Sequence, residues 1–335
     1  MNSSYRATDT RKNNIMDNTI PSDFYHKPVL LSECIELLNI KPDGFYVDGT
    51  VGGGGHSAEI LKRLGNSGKL LGIDRDNDAL SFAGKRLSTV ETVGSFSLVH
   101  GNFSRMAEYC GGRRPDGILL DIGVSSFQLD NADRGFSYRF DAPLDMRMDS
   151  TAGKSAKDVV NGYTLGELTK ILREYGEERY ASKIAAAILR ERAKKPIETT
   201  GELAEIVKRS VPAKYLSGEG HPAKRTFQAI RIEVNDELGE LETALDAAID
   251  ILNDGGRLVV ITFHSLEDRL VKNKFREAQD PCTCPKDFPV CICGKKSKGK
   301  ILTPHPLTGS EAEIEDNNRA HSAKVRAFER KIDEG

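Results

Sequence analysis

Short apolar runs alternate with helical patterns in the first third of the chain. Four runs of strand length lie between residues 44 and 123, and they end at Asp48, Asp74, near His100 and at Asp121. Between them, apolar residues recur at the spacing of a helix face. This alternation predicts an α/β fold with a parallel sheet and crossover helices, in which the carboxyl ends of the strands share one edge.

The alternation then stops for more than a hundred residues. The next strand pattern, GGRLVVITFHS, begins at Gly255, whereas the segment 135–222 contains helical patterns only. One long helical pattern over 226–252 leads into this fifth strand. The sequence therefore predicts an all-helical domain at 135–222, inserted between strands 4 and 5 of a discontinuous domain formed by 25–134 and 223–335. We expect this insertion to serve substrate recognition.

Composition places the chain among globular proteins. Hydrophobic residues make up 38% and charged residues 29% of the 335 positions, and the net charge is −2. These values exclude collagen-like and wholly disordered chains. No apolar stretch reaches the roughly 18 residues of a membrane span, and residues 1–24 lack the apolar core of a secretory signal. We expect a cytoplasmic protein without a membrane partner and with a mobile N-terminal tail at 1–24.

The turn after the first predicted strand, VDGTVGGGGHS, contains five glycines between positions 49 and 55. Glycines let the backbone approach a ligand closely. Asp48 is placed to accept hydrogen bonds from a ligand, and Asp74 to accept both hydroxyls of a ribose. The spacing of these glycines does not match the dinucleotide fingerprint in any register. They do not form a phosphate loop either, because such a loop ends in Gly-Lys-Ser/Thr and Gly55 is followed by His56. This favours a phosphate-free nucleoside cofactor such as S-adenosylmethionine; a tight turn without a ligand is the alternative.

Two further strand ends carry candidates for catalysis. Asp121, in LLDIGVSSFQLD, is placed to accept a hydrogen bond from an exocyclic amine, or alternatively to cap the following turn. The absence of cysteine from this loop disfavours methylation at a ring carbon, which needs a thiolate nucleophile. His264, in VVITFHSLEDR, is a candidate base, with substrate positioning by this segment or a structural role as alternatives.

Positive charge is concentrated in two segments. Residues 179–225 hold eleven Lys and Arg against five Asp and Glu, and residues 265–301 hold nine against five. Lys224 and Arg225 directly precede the long helical pattern. A basic excess of this kind suits a phosphate backbone, although solvated helix faces are often basic as well.

Four cysteines crowd into PCTCPKDFPVCICGKK, in the loop 281–294: Cys282, Cys284, Cys291 and Cys293. Four thiolates can bind zinc tetrahedrally. The C-x-C pairs differ from the usual C-x2-C spacing of zinc sites, so reduced cysteines in a surface hairpin are the alternative.

Several motifs together resemble one family over roughly residues 24–332. VDGTVGGGGHS, LLGIDRD, HGNFS, DGILLDIGVSSFQLD, DMRMD, HPAKRTFQAIRIEVNDEL and TFHSLEDR are similar to the MraW-like family of bacterial 16S ribosomal RNA cytosine-N4 methyltransferases. DMRMD and TFHSLEDR make the resemblance specific, since generic methyltransferases have no role for them. The resemblance implies a class I S-adenosylmethionine-dependent methyltransferase fold, Rossmann-like and mostly parallel, with an all-helical insertion. It also implies methylation of the N4 amine of a cytidine in the decoding region of 16S rRNA in the small ribosomal subunit.

The resemblance also assigns residues by motif. The implied cofactor contacts are Gly54, Gly55, His56, Asp74, Phe103, Asp121 and Gln128. An aromatic ring at position 103 is suited to pack against adenine. The family carries a bulkier residue where this chain has Gly53, a departure that should loosen the turn without abolishing binding. The DMRMD loop and the inserted helices are expected to face the RNA.

Two other functions stay open at this point. One is a non-catalytic RNA-binding or ribosome-assembly factor that retains the fold. The other is a nicotinamide-dependent oxidoreductase, which the missing fingerprint disfavours. The sequence is compatible with a monomer or a dimer, and the resemblance leaves open whether the cysteines bind zinc.

Overall fold

The computed structural model of the chain describes residues 27–125, 128–129, 131–151, 153–216, 221–285 and 292–332. The tail predicted at 1–24 and the candidate ligand Cys291 lie outside the described residues.

Seven strands form one sheet in the order β3-β2-β1-β4-β5-β7-β6. The first five strands run parallel, and β7 pairs antiparallel with β5 and β6. The mostly parallel sheet predicted from the sequence is confirmed, whereas β6 and β7 were not predicted. The strands are β1 (Phe45–Asp48), β2 (Lys69–Asp74), β3 (Ser95–His100), β4 (Gly117–Asp121), β5 (Arg257–Thr262), β6 (Gly299–Ile301) and β7 (Lys324–Arg330).

The strand order reverses direction at β1, which lies between β2 and β4. In an open α/β sheet, this is the point where the loops at the carboxyl ends diverge and leave a crevice for a ligand. The sheet itself is buried on both faces. Along β5, Leu258 and Val260 pack into one apolar cluster, while Val259 and Ile261 pack into another on the opposite face.

Helices flank the sheet and account for the regular structure described between β4 and β5. Among the described residues, short 3₁₀ turns at Phe103–Arg105, Ala132–Arg134 and Asn318–His321 connect the elements. The helices are α1 (Leu31–Leu38), α2 (Gly55–Leu61), α3 (Asn77–Ser88), α4 (Met106–Tyr109), α5 (Ala156–Gly162), α6 (Leu165–Glu174), α7 (Ala181–Arg192), α8 (Thr200–Ser210), α9 (Ala213–Leu216), α10 (Lys224–Asn235), α11 (Glu237–Ile251), α12 (Ser265–Gln279) and α13 (Glu311–Asp316).

The helices between β4 and β5 surround an apolar cluster of their own. Three of them begin at a capping box, in which Ser155, Thr164 and Thr199 each bond reciprocally with an acidic residue three positions on. The cluster includes Phe227 and Ile230 of α10, which lie beyond the predicted boundary at 222. The exact division into two domains stays a prediction.

The pattern over 226–252 forms two helices, so the prediction of one long helix is wrong. Asp236 separates α10 from α11 in a left-handed conformation, with φ of 47°. Asn235 stabilises the break, because its amide donates to the Met146 carbonyl (2.8 Å) and accepts from the Met148 N–H (2.8 Å). The break lets α10 pack on the helical cluster and α11 pack on the sheet.

No helix among the described residues has the length and apolar character needed to cross a membrane.

Candidate active site

The glycine turn joins β1 to α2 at the switch point of the sheet. Asp48, at the end of β1, is 1% exposed. Its carboxylate accepts hydrogen bonds from the Thr50 N–H (3.1 Å) and the Ser57 hydroxyl (2.6 Å), and burial raises its pKa. The oxygens of Asp48 hold the two ends of the turn together, and Asp48 is not part of the lining of the cavity that the turn borders. Ligand binding by Asp48 stays a prediction.

Individual glycines of the turn meet different requirements. Gly52 and Gly54 have φ of 50° and 72°, a region that favours glycine. A Cβ on Gly55 would lie 2.3 Å from Cγ of Pro28, so a side chain is excluded there. A Cβ on Gly53 would meet only Cε1 of Phe82, at 3.9 Å. The turn therefore has room for the bulkier residue that the family carries at position 53.

Asp74, at the end of β2, connects the turn to the next loop. One carboxylate oxygen accepts the Gly52 N–H (2.8 Å) and the other accepts the Asp76 N–H (2.9 Å). Burial raises the pKa of this carboxyl to about 6. Each oxygen retains a second lone pair for a hydroxyl donor.

Two buried residues, Asp76 and Gln128, form a hydrogen-bonded pair beside Asp74. Asp76 caps α3 by accepting the Asp78 N–H (3.0 Å), and its other oxygen accepts from Gln128 Nε2 (3.0 Å) and Arg134 Nη1 (2.9 Å). Asp76 and Gln128 are each 4% exposed. These bonds hold Gln128 against the cavity. Sequence analysis missed both Asp76 and Arg134. An N-cap position before α3 was the available signal for Asp76, and no local signal marks Arg134.

Asp121 and His56 meet at the end of β4. Oδ2 of Asp121 lies 3.8 Å from Nδ1 of His56, whose Nε2 is 3.0 Å from the Val29 carbonyl oxygen. Oδ1 of Asp121 is buried and has no hydrogen-bond partner among the described residues. Burial raises the pKa of this carboxyl, and the nearby His56 and Arg319 oppose that shift. The Asp121 side chain as a whole is 25% exposed and lines the cavity, so its carboxylate can contact a ligand there.

One cavity at the switch point brings the candidates together. Six of the seven residues implied by the resemblance line this cavity. The exception is Gly54, where an added Cβ would contact Ala83 of α3. The wall also contains Arg75, Phe82, Glu237 and Arg319, which sequence analysis did not select. The lining candidates are Gly55, His56, Asp74, Phe103, Asp121 and Gln128.

His264 has a different position, at the N-terminus of α12, and is not part of the cavity lining. Its Nδ1 lies 3.5 Å from the Glu267 N–H, and its Nε2 lies 3.0 Å from Oε1 of Glu267. Although burial opposes it, His264 and Arg231 hold the pKa of the Glu267 carboxyl below its ordinary value. The structure gives His264 a capping contact, and its catalytic role stays a prediction.

Three of the four array cysteines fall within the described residues. The sulfur atoms of Cys282, Cys284 and Cys293 all lie within 4.8 Å of one another. Their role as metal ligands stays a prediction at this point.

Comparison with known proteins assigns the chain to a family. The model of the MraW methylase family matches residues 23–331. The chain belongs to the MraW methylase family. Ribosomal RNA small subunit methyltransferase H of Lachnospira eligens is 55% identical over 311 residues, covering 92% of this chain and 98% of that protein. The protein of the same name from Carboxydothermus hydrogenoformans is 57% identical over 311 residues, with the same two coverages.

Among solved structures, a putative rRNA methylase from Clostridium thermocellum is similar with a TM-score of 0.43 and 12% identity, covering 91% of this chain and 98% of that one. Membership of the MraW methylase family confirms the predicted class I methyltransferase fold, the methyltransferase activity and the S-adenosylmethionine cofactor. It excludes the alternative of a nicotinamide-dependent oxidoreductase.

Proposed function

We propose that the protein transfers a methyl group from S-adenosylmethionine to the N4 amine of a cytidine in 16S rRNA of the small ribosomal subunit, in the cytoplasm. One observation carries this proposal. The cavity at the switch point is lined by two carboxylates at the ends of neighbouring strands, Asp74 and Asp121, beside the glycine turn. The names of the similar proteins, ribosomal RNA small subunit methyltransferase H, supply the class of substrate.

The residues of the cavity fit the cofactor. The turn at Gly52 and Gly55 has no side chains, so its backbone can lie against the cofactor. Asp74 has lone pairs for the ribose hydroxyls, and Phe103 offers an aromatic face for adenine. When bound, S-adenosylmethionine supplies a methyl group on a sulfonium that is already electrophilic.

Asp121 provides the contact to the methyl acceptor. Its side chain lines the cavity and is 25% exposed, so the carboxylate is placed to accept a hydrogen bond from the exocyclic amine and so to orient the nitrogen lone pair. As the new N–C bond forms, the nitrogen must lose a proton. A carboxylate whose pKa is raised by burial is a better proton acceptor than an exposed one, and we assign this proton to Asp121.

The acceptor base must leave its stack to reach a cavity of this kind. Met148, from the DMRMD loop, lines the cavity, which supports the assignment of this loop to the RNA-facing wall. The loop is held in place because Arg134 Nη2 donates to the carbonyls of Arg147 (3.1 Å) and Met148 (2.9 Å).

The proposal is tested by incubating the protein with labelled methyl donor and either naked 16S rRNA or small subunits, followed by digestion to nucleosides. We expect label in N4-methylcytidine. Asp121→Asn should lower the turnover rate by about 10²- to 10³-fold, because an amide cannot take the proton that the nitrogen loses. The amide keeps an acceptor oxygen at the implied cofactor contact, so the affinity for S-adenosylhomocysteine should fall far less than the turnover rate. Asp78→Asn, which removes an exposed carboxylate from α3, is the matched control and should retain full turnover.

Label on carbon 5 of cytosine, or equal turnover by Asp121→Asn and the unaltered protein, would contradict this function. RNA binding without affinity for S-adenosylhomocysteine would instead support the non-catalytic assembly factor.

A further inference from the structure

The described residues of the loop between α12 and β6 lack the apolar packing that holds the sheet and the helices. None of its described residues, 281–285 and 292–298, is buried, and Ile292 is 75% exposed. The two ends of the loop are tied together, since the Lys298 N–H donates to the Ala278 carbonyl (2.7 Å) and the Ile301 N–H donates to Oε1 of Gln279 (2.7 Å). A closed loop of this length without a core of its own needs another source of order.

The three described sulfur atoms of this loop are clustered. The sulfur atoms of Cys282 and Cys293 lie 3.9 Å apart, and that of Cys284 is within 4.8 Å of both. A disulfide requires a separation of about 2.05 Å, so this pair is not bonded. A tetrahedral zinc ion with Zn–S bonds of about 2.3 Å separates its sulfur ligands by about 3.8 Å. The observed separation therefore matches an edge of a zinc–thiolate tetrahedron.

The backbone around the sulfur atoms supports the same interpretation. The Ile292 N–H donates to the sulfur of Cys284 (3.4 Å), which is the type of outer contact that orients and stabilises a ligating thiolate. Gly294 follows Cys293 with φ of 65°, and a Cβ there would meet nothing within 4 Å. The preference for glycine at this position is thus conformational, and the chain bends at Cys293, directly before it.

We propose that Cys282, Cys284 and Cys293 bind a structural zinc ion that orders the loop between α12 and β6. The three thiolates fill three of the four positions of a tetrahedral ion. Cys291 belongs to the same array in the sequence but lies outside the described residues, so the proposal rests on the other three sulfur atoms. The exposed Lys295 and Lys296, which follow Cys293 within the same loop, partly offset the negative charge of the thiolates.

The first experiment measures metal in the full-length protein, purified under reducing conditions without chelator. We expect about one zinc ion per chain by elemental analysis. Replacement by Co²⁺ should give the sulfur-to-cobalt charge-transfer absorption and the visible bands of tetrahedral coordination. This spectrum tests the unaltered protein, so it does not depend on the folding of any variant.

The second experiment identifies the ligands. Cys282→Ser, Cys284→Ser and Cys293→Ser should each lower the bound zinc from about one per chain to near zero after dialysis, because each removes a thiolate ligand. Thr283→Ala is the matched control: it alters an exposed residue between two of the ligands and should keep its zinc. Affinity for S-adenosylhomocysteine should be retained in all four variants, which separates this site from the methyl-transfer cavity.

Three results would overturn the proposal. The first is a reduced protein that neither contains zinc nor shows a cobalt–thiolate spectrum after metal is added. The second is equal zinc loss from Thr283→Ala and the cysteine variants. The third is a freshly purified chain whose mass is lower by two hydrogens and whose array thiols do not react, which would show a disulfide instead.

Discussion

At the scale of single residues, the protonation state of Asp74 depends strongly on its position in the cavity. Both of its oxygens accept backbone N–H groups, which favours the ionised form, yet burial dominates and raises its pKa to about 6. Ribose hydroxyls are better donors to a carboxylate than to a neutral acid. Cofactor binding should therefore favour the ionised form and release a proton whenever Asp74 is protonated in the free protein.

This linkage predicts the pH dependence of cofactor binding. Above pH 6, Asp74 is ionised and the Kd for S-adenosylhomocysteine should be nearly constant. As the pH falls through 6, the Kd should rise by up to about tenfold per pH unit, because binding must first remove a proton. Titration calorimetry between pH 5 and 8 measures this directly.

Asp74→Asn provides the comparison for that measurement. The amide cannot titrate, so this variant should bind more weakly at pH 8 and show a flatter profile between pH 5 and 7. A variant that kept the full pH dependence would assign it to another buried carboxyl and contradict the role given to Asp74.

The contrast between Asp48 and Asp74 shows what sequence reasoning can reach at this scale. The pattern correctly placed both residues at strand ends. It could not show that the hydroxyl of Ser57 returns across the turn and occupies an oxygen of Asp48. That contact depends on the path of the turn, whereas the alternation of strands and helices depends only on local periodicity. The placement of Phe103 and Gln128 came from the family resemblance, since no local pattern marks them.

At the scale of elements, Arg134 connects three parts of the site. From the 3₁₀ turn Ala132–Arg134, it donates to Asp76 at the start of α3 and to two carbonyls of the DMRMD loop. The side chains of Arg134 and Asp76 are 13% and 4% exposed. The ion pair therefore lies largely out of water, and the loss of one partner would leave the other charge buried.

We expect Arg134→Ala to lower the free energy of unfolding by about 3 kcal/mol, because Asp76 would lose its charged partner. It should also weaken cofactor binding, since Gln128 shares the same carboxylate oxygen. Unfolding in guanidinium chloride, followed by circular dichroism, measures the change in stability.

Arg147→Ala is the matched control for this pair. Arg147 pairs with Asp145 in the same region, but both side chains are about one quarter exposed. A pair of that kind contributes at most about 1 kcal/mol. Equal destabilisation by the two variants would show that Arg134 contributes no more than an ordinary surface pair.

The sequence predicted an element well where the interactions that stabilise it join residues close together in the chain. The predicted helices over the insertion begin at capping boxes, whose residues lie within four positions of one another. The break at Asp236 was missed because it depends on Asn235 bonding to residues almost ninety positions away. Strand β7, KVRAFER, was missed because its charged residues hide the strand pattern. Arg326 is nevertheless buried, where it pairs with Asp268 of α12.

At the scale of the whole molecule, ion pairs reduce the positive charge that is available to RNA. In the segment 179–225, Lys194 pairs with Glu191, and Lys195 pairs with Glu202. By contrast, Arg179 and Lys224 are exposed, and neither forms an ion pair with another described residue. The basic excess counted from the sequence is thus unevenly distributed, and only part of it is free to contact phosphates.

The salt dependence of RNA binding distinguishes these two groups of charges. Each phosphate contact to a single-stranded segment contributes about 0.7 to the slope of log affinity against log salt concentration. If Arg179 and Lys224 each contact a phosphate, replacing both by Ala should reduce the slope by about 1.4. The measurement is fluorescence anisotropy with a labelled fragment of small-subunit RNA over a series of salt concentrations.

Replacing both Lys194 and Lys195 by Ala removes the same number of positive charges from ion pairs and should leave the slope almost unchanged. Equal slopes for the two double variants would show that charge in this segment is a solvated surface, and that the RNA binds elsewhere on the protein.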